Sequence, residues 1–434
     1  MAATVHHLHP PSPPLAGFLR VGHTGQRKLE ALLAAGRFPY RRVVFDAAHL
    51  AQQLGLLARL RASGCEIVLD PNFAEMAAEG AFRSGVSRLP WANQERPWGP
   101  DNFGPQRNAN LANLIAQFAV QHGTKAVLAP THLLETAGDR WRSVDFSFCE
   151  LLRHELDTLG GQSIAIDYQL ITTNAVLRDE QQRRQVVVGI TDLPIENVWL
   201  RVSGFGATST GAGTRHFIEA VADLHQFELP FVADCAGGFA ALAALAFGAV
   251  GGICHGVGQK EGFRASDWKK PPGRGGSKRR IYIPELDRIP ELDRHFPEDQ
   301  LNAIFAARFG RSRFGCNDTS CCLHGTDDMT ENSHAHFITQ RNRQLESLSV
   351  IPDPRRAEHF LLQQLEPAVR SARLGAKLKI VDDDTRRLVD DARKRLTALR
   401  DTLDDLESGG GITTRSPPVA FRGGGGAVSA MLGR

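Results

Sequence analysis

Residues 229–258, LPFVADCAGGFAALAALAFGAVGGICHGVG, read as strand, glycine-containing turn, small-residue helix and second strand. Phe231 to Ala233 are apolar and end at Asp234. Gly237-Gly238 opens a helix of Ala, Leu and Phe that Gly248 closes, and Val250 to Cys254 form another apolar strand ending at His255. Two continuous apolar strands joined by a crossover helix are the mark of a parallel sheet covered on both faces. Polar residues at the C-terminal ends of such strands are where chemistry sits, and Asp234 and His255 occupy those ends.

Working outward, the pattern recurs. Apolar segments at Phe18–Val21, Val43–Phe45, Glu66–Leu69, Ala126–Ala129, Ser163–Ile166 and Val198–Val202 precede the two just quoted, and most lead into stretches with helical spacing. Eight such units over about 250 residues predict a (β/α)8, or TIM, barrel; an open doubly wound sheet is the competing architecture. The predicted barrel spans 16–263 behind a disordered leader, 1–15. One connection, 82–107, carries Pro, Gly, Trp and Asn, as a lid or a packed insertion would.

After the eighth strand the composition changes. Residues 264–280, RASDWKKPPGRGGSKRR, form a basic loop, with Lys269, Lys270, Arg274, Lys278, Arg279 and Arg280 as candidate contacts to a nucleic-acid backbone. A solvated loop without a partner is the plainer reading. Within 264–370 also lie Cys316, Cys321 and Cys322, followed by His324, His334, His336 and His359. Three thiols with one imidazole are the donor set of a structural Cys3His zinc site. His359 is the first candidate for the fourth ligand and His336 the alternative. Residues 371–408 predict an amphipathic helix with Leu388, Ala392, Leu396, Leu399, Leu403 and Leu406 on one face, compatible with packing on the barrel or with a homo-oligomer. The Gly-rich stretch 409–434 predicts a disordered tail.

The 434 residues are 42% hydrophobic and 23% charged, with a net charge of +3. That is ordinary for a globular protein and is no argument for nucleic acid by itself. No apolar run reaches the roughly 20 residues of a membrane span. Seven cysteines, an odd number in a long chain, predict a reducing cytoplasm rather than a disulfide framework.

A barrel followed by a Cys3His cluster and helices resembles the tRNA-guanine transglycosylase superfamily, including its relatives that insert deazaguanine bases into DNA. Gly22-His23-Thr24-Gly25 resembles a permuted form of that family's Thr-His-Gly-Thr segment. VVFDAAHL (43–50) is similar to its strand ending in Asn-Thr-Tyr-His-Leu, and VLDPNFAEM (68–76) to its strand ending in Asp-Ser-Gly-Gly-Phe. The resemblance places Asp70 at the family's general acid/base and VSGFG (202–206) at its Gly-rich substrate loop. The family's nucleophile motif, Asp-x-x-x-Pro-Thr-Arg, has no counterpart in GGICHGVGQKE (251–261), and its Cys-x-Cys-x-x-Cys spacing differs from that of Cys316, Cys321 and Cys322.

The expectation is therefore a transglycosylase-like enzyme acting on a nucleobase in RNA or DNA, with structural Zn2+. Asp70, Asp234 and His255 are its candidate catalytic residues. Asp46, His49, His132, Asp167, Arg201, Ser203 and Gly204 are candidates for binding substrate, with Asn72 at a further strand end. A non-catalytic nucleic-acid-binding or scaffold barrel, and a metal-dependent small-molecule hydrolase, are the alternatives.

Overall fold

The computed structural model describes residues 14–23, 25–82, 85–93, 96–258, 260–271, 279–287, 291–292 and 299–424. Eight parallel strands close on themselves: β1 (Ala16–Arg20), β2 (Arg42–Asp46), β3 (Glu66–Asp70), β4 (Ala126–Leu128), β5 (Ala165–Thr173), β6 (Asn197–Ser203), β7 (Phe231–Asp234) and β8 (Gly252–Gly256). Closure is made by Ala16 of β1 in register with Gly252 of β8, and by the β4–β5 pairing of Ala126 with Ala165. A two-residue strand, Leu133–Leu134, adds to the upper half of β5. The protein is a TIM barrel.

Strand side chains alternate between faces, and that parity organises the molecule. Ala16, Phe18, Val44, Val68, Ala126, Leu128, Ala165, Trp199, Val232 and Cys254 fill the barrel's interior as a cluster of their own, with at least one residue from every strand. The residues between them point outward into a larger core shared with the helices. The helix Gly238–Ala246 is buried along its whole length, which is why its sequence is Ala, Leu and Phe all round.

Several expectations are corrected. Residues 366–408 are two helices, Glu366–Gly375 and Asp383–Ser408. The Asp382 carboxylate starts the second by accepting the Thr385 N–H at 2.7 Å. That helix packs on the barrel helix Gly211–Ala222 so closely that a Cβ on Gly211 would lie 2.4 Å from the Ala398 carbonyl. Of the two readings of the connection 82–107, the packed insertion is the one found where it is described: Trp91 and Trp98 are buried, and Trp91 Nε1 donates to the Pro71 carbonyl at 3.0 Å. Residues 409–424, expected to be disordered, lie across the floor of the barrel. Val419 joins the interior cluster there, and Arg422 pairs with Glu66 and Asp167. The leader up to residue 13, the tail from 425, Thr24, Arg274 and Lys278 lie outside the described residues.

Candidate active site at the barrel mouth

The inward parity that buries Ala16 and Phe18 carries Arg20 to the mouth two residues later. The same step brings Asp46 after Val44, Asp70 after Val68, Arg201 after Trp199, and Asp234 after Val232. These five side chains form one buried network. Arg20 Nη1 donates to Asp46 Oδ1 and Asp70 Oδ2, both at 2.6 Å, and its Nη2 donates to Asp234 Oδ1 at 3.1 Å. Arg201 Nε reaches Asp234 Oδ2 at 2.8 Å, its Nη2 reaches Asp70 Oδ2 at 3.2 Å, and its Nη1 reaches Glu75 Oε1 at 3.2 Å. Gln169 Nε2 donates to Asp234 Oδ2 at 2.8 Å, and Lys260 Nζ to Asp46 Oδ2 at 2.8 Å.

Burial alone would raise the carboxyls of Asp46 and Asp234, since it disfavours the charged form. The cations win. Lys260 and Arg20 hold Asp46, and Arg201 and Arg20 hold Asp234, well below the usual carboxylate range. Glu75 moves the other way: burial and the neighbouring Asp70 charge outweigh Arg201 and raise it.

The network reaches solvent chiefly through Lys260, whose side chain is 38% exposed. It borders a cavity of about 630 Å³ lined by Gly204, Ala207, Arg264, Arg280 and Leu388 among others. The segment after β8 roofs this region. Its Phe263 carbonyl accepts the Gly204 N–H at 2.9 Å, and its Ala265 N–H donates to Ser203 Oγ at 2.9 Å. Ser203 and Gly204 thus hold the roof in place, and Gly204 also lines the cavity.

Other expected site residues lie elsewhere. His255 has outward parity, between Cys254 and Gly256. Its Nδ1 donates to the Gly256 carbonyl, and its Nε2 accepts from Tyr40 Oη at 2.9 Å. Burial among Tyr40 and Phe337, with Arg341 nearby, pushes it down to about 3, so it is a neutral core histidine. Asp167 is corrected too. β5 runs on to Thr173, so Asp167 lies near its start, bonded to Asn197, Trp199 and Arg422 at the floor. Gln169, one inward step further, takes the place at the mouth. His49 is half-buried beside His23, outside the network. His132 is buried off to one side, stacked on Trp141, with Nδ1 donating to Asp145 at 2.6 Å. Asn72 turns the chain after β3 in a left-handed conformation (φ 56°), and its Oδ1 accepts the Ala48 N–H at 3.0 Å.

The sequence reading missed Arg20, Glu75, Gln169 and Lys260. Arg20 was findable as a charged residue ending an apolar strand; Glu75 and Lys260 sit on loops whose course only the fold determines.

The thiols of Cys316, Cys321 and Cys322 and a ring nitrogen of His336 lie within 4.8 Å of one another, all buried. His336 Nδ1 is 3.4 Å from Cys321 Sγ and 3.5 Å from Cys322 Sγ, while Nε2 donates to the Tyr282 carbonyl at 3.0 Å. That outer hydrogen bond fixes the tautomer a metal-binding imidazole needs. The structure thus supplies His336 as the fourth donor. His359, on the short helix Arg356–His359, is no part of the cluster. Four such donors are suited to holding a metal ion.

In the basic loop, Lys269 pairs with Glu135 at 2.7 Å and Lys270 with Asp267 at 3.3 Å, so much of their charge is answered within the chain. No helix among the described residues is long and apolar enough to cross a membrane.

Fold and site together define a TIM barrel with a buried guanidinium–carboxylate network at its mouth and a Cys3His cluster beside it. No family model and no curated protein matches the chain. Among solved structures, a GH26 β-mannanase from Bacteroides ovatus is similar over 60% of this chain and 84% of its own, at 10% identity and a TM-score of 0.38. A type I 3-dehydroquinate dehydratase from Clostridium difficile covers 59% and 90%, at 7% and 0.37. An endo-1,4-β-D-xylanase 10B fragment from Clostridium thermocellum covers 56% and 59%, at 9% and 0.36. Likenesses this distant carry no argument about what this barrel does.

Proposed function

We propose that the chain is a glycosyl-transfer enzyme that breaks and remakes the N-glycosidic bond of a nucleobase in RNA or DNA, with zinc as a structural ion in the Cys3His cluster. One observation carries the reading. Asp70 and Asp234, from strands on opposite sides of the barrel, both lie on Arg201 Nη2, at 3.2 and 2.8 Å. Glycosidic chemistry needs a carboxylate to take the anomeric carbon and an acid for the leaving group. Asp234, accepting from Arg20, Arg201 and Gln169, is held as the anion and suits attack. The two arginines and Gln169 hold it in place. The motif resemblance at 43–50 and 68–76 and the Cys3His donor set favour a nucleobase over a sugar polymer. Arg264 and Arg280 beside the cavity offer charge to a phosphate backbone. Cys316, Cys321, Cys322 and His336 would hold the zinc, which would tie the segment 316–322 to the helix Ser333–Ser349 in a structural role.

The burial of the network favours a second reading. Asp46, Asp70 and Asp234 are only 1–2% exposed, as they would be in a barrel whose mouth is a structural plug and whose surface binds nucleic acid without chemistry. Labelled-guanine exchange into pooled tRNA and into duplex DNA, run beside gel-shift binding, separates the two. Exchange by the wild type that Asp234→Asn abolishes, with binding kept, supports the enzyme. Binding without exchange supports the second reading, and neither activity defeats both.

A further inference from the structure

Four carboxyl groups face three cations at the barrel mouth. Asp46, Asp70, Asp234 and Glu75 lie against Arg20, Arg201 and Lys260. Were all four ionised, the cluster would hold one uncompensated negative charge away from water, which is costly. One proton removes it, and the hydrogen bonds say where it can sit. Asp46 accepts from Arg20 on one oxygen and from Lys260 on the other. Asp70 accepts the Asn72 N–H on Oδ1 at 2.8 Å and both arginines on Oδ2. Asp234 accepts from Arg20 and the Cys235 N–H on Oδ1, and from Arg201 and Gln169 on Oδ2. Every oxygen of the three aspartates accepts from a donor, and donors aimed at a carboxylate favour its charged form. Glu75 differs: Oε1 accepts from Arg201, while Oε2 is buried without a partner.

We propose that Glu75 carries the one proton of this network at neutral pH, on Oε2, and delivers it to the leaving nucleobase. The delivery rests on the transferase reading above; the proton does not. In the step, the C1′–N bond breaks and its electron pair stays on the ring nitrogen, which takes the Glu75 proton. An Asp234 oxygen gives the pair that forms the new C1′–O bond. Negative charge leaves Asp234, on Arg201 Nε and Nη2, and appears on Glu75, on Arg201 Nη1. The network's total charge is unchanged, and one guanidinium serves both states. The incoming base reverses the transfer. This gives the acid's part to Glu75 rather than Asp70, both of whose oxygens accept from donors that favour the anion.

Burial raises Glu75's titration most, and the charged groups that face it are Asp70 from β3, Arg201 from β6, Lys260 after β8 and Asp46 from β2. The test is a carbon-13 NMR titration of the full-length protein labelled at glutamate carboxyls, with Glu75→Gln to assign the signal. The expected result is a carboxyl still protonated at pH 7, whose midpoint falls in Asp70→Asn and rises in Lys260→Gln. A signal ionised from pH 5 upward overturns the proposal, and reading Lys260→Gln as well keeps the test valid should Asp70→Asn fail to fold. In the exchange assay, Glu75→Gln, whose amide matches the neutral acid, is expected to fold normally and to lose about 10²- to 10⁴-fold in rate. A Gln variant that keeps the rate overturns the delivery step. The titration needs no substrate, so a wild type that exchanges no base defeats the function reading separately.

Discussion

Arg201, like Arg20, touches three carboxyl groups of the mouth, here Asp70, Glu75 and Asp234, and is itself 1% exposed. Replacing it with methionine keeps most of the apolar stem and removes the charge. Glu75 then loses its hydrogen bond, and Arg20 must answer for Asp70 and Asp234 alone. Breaking a buried ion pair from one side costs about 3–5 kcal/mol, and Arg201→Met is expected to lose that much in urea denaturation at pH 7. The deficit should narrow toward pH 5, because stranded carboxylates take up protons there. A second residue-scale expectation concerns Asp145. Burial, only partly offset by His132, pushes it up to about 6. A carboxyl raised on folding contributes stability that is full below its unfolded value near 4 and is lost as pH rises through 6. The wild type should therefore lose about 2–3 kcal/mol from this group across that window, and Asp145→Asn should flatten the slope there. Asp46 and Asp234, held low, act oppositely: their contribution is present above about pH 4 and lost below it.

At the scale of elements, the strands were legible because a parallel barrel buries both of their faces, leaving continuous apolar runs such as FVA before Asp234. Parity was not legible, because a strand apolar on both sides does not say which residues face in. His255 ends a run as plainly as Asp234 does, yet only Asp234 shares the inward step with Val232. Asp167 misled for another reason. YQLITT continues β5 past the point where the apolar run had been closed, moving the mouth from Asp167 to Gln169. The Cys3His cluster was legible in its thiols, which are close in sequence. Its imidazole was not, since the choice between His336 and His359 depends on how the helix Ser333–Ser349 lies over Tyr282. That choice is measurable. Metal analysis of purified protein is expected to give about one zinc per chain, retained in His359→Ala and lost in His336→Ala and in Cys321→Ser/Cys322→Ser. Zinc kept by His336→Ala and lost from His359→Ala would reverse the ligand assignment.

At the scale of the whole molecule, the chain closes its barrel with its own far end. Low-complexity sequence gave no periodicity by which 409–424 could be placed, because each anchor in it answers a group on the barrel floor. Ser416 Oγ accepts the Phe231 N–H at 2.9 Å at the start of β7. Phe421 lies under the guanidinium of Arg41, 4.2 Å from the ring centre, with Arg42 at 5.2 Å. Arg422 reaches Glu66 and Asp167, both at 2.8 Å, and Val419 is the one member of the interior cluster that no strand supplies. Two variants separate charge from cover. Arg422→Met leaves Glu66 with Arg42, and Asp167 with Asn197 and Trp199, so it is expected to cost about 3 kcal/mol, the lower end for a buried pair broken from one side. Ending the chain at Gly411 removes Val419 as well and opens the floor beneath Ala16 and Ala165 to water. That truncation is expected to lose clearly more stability than Arg422→Met in urea denaturation and to make the strands' N-terminal ends accessible to protease. A truncated chain as stable as the full one would mean that the floor is sealed by the strands alone, and that the tail only rests on it.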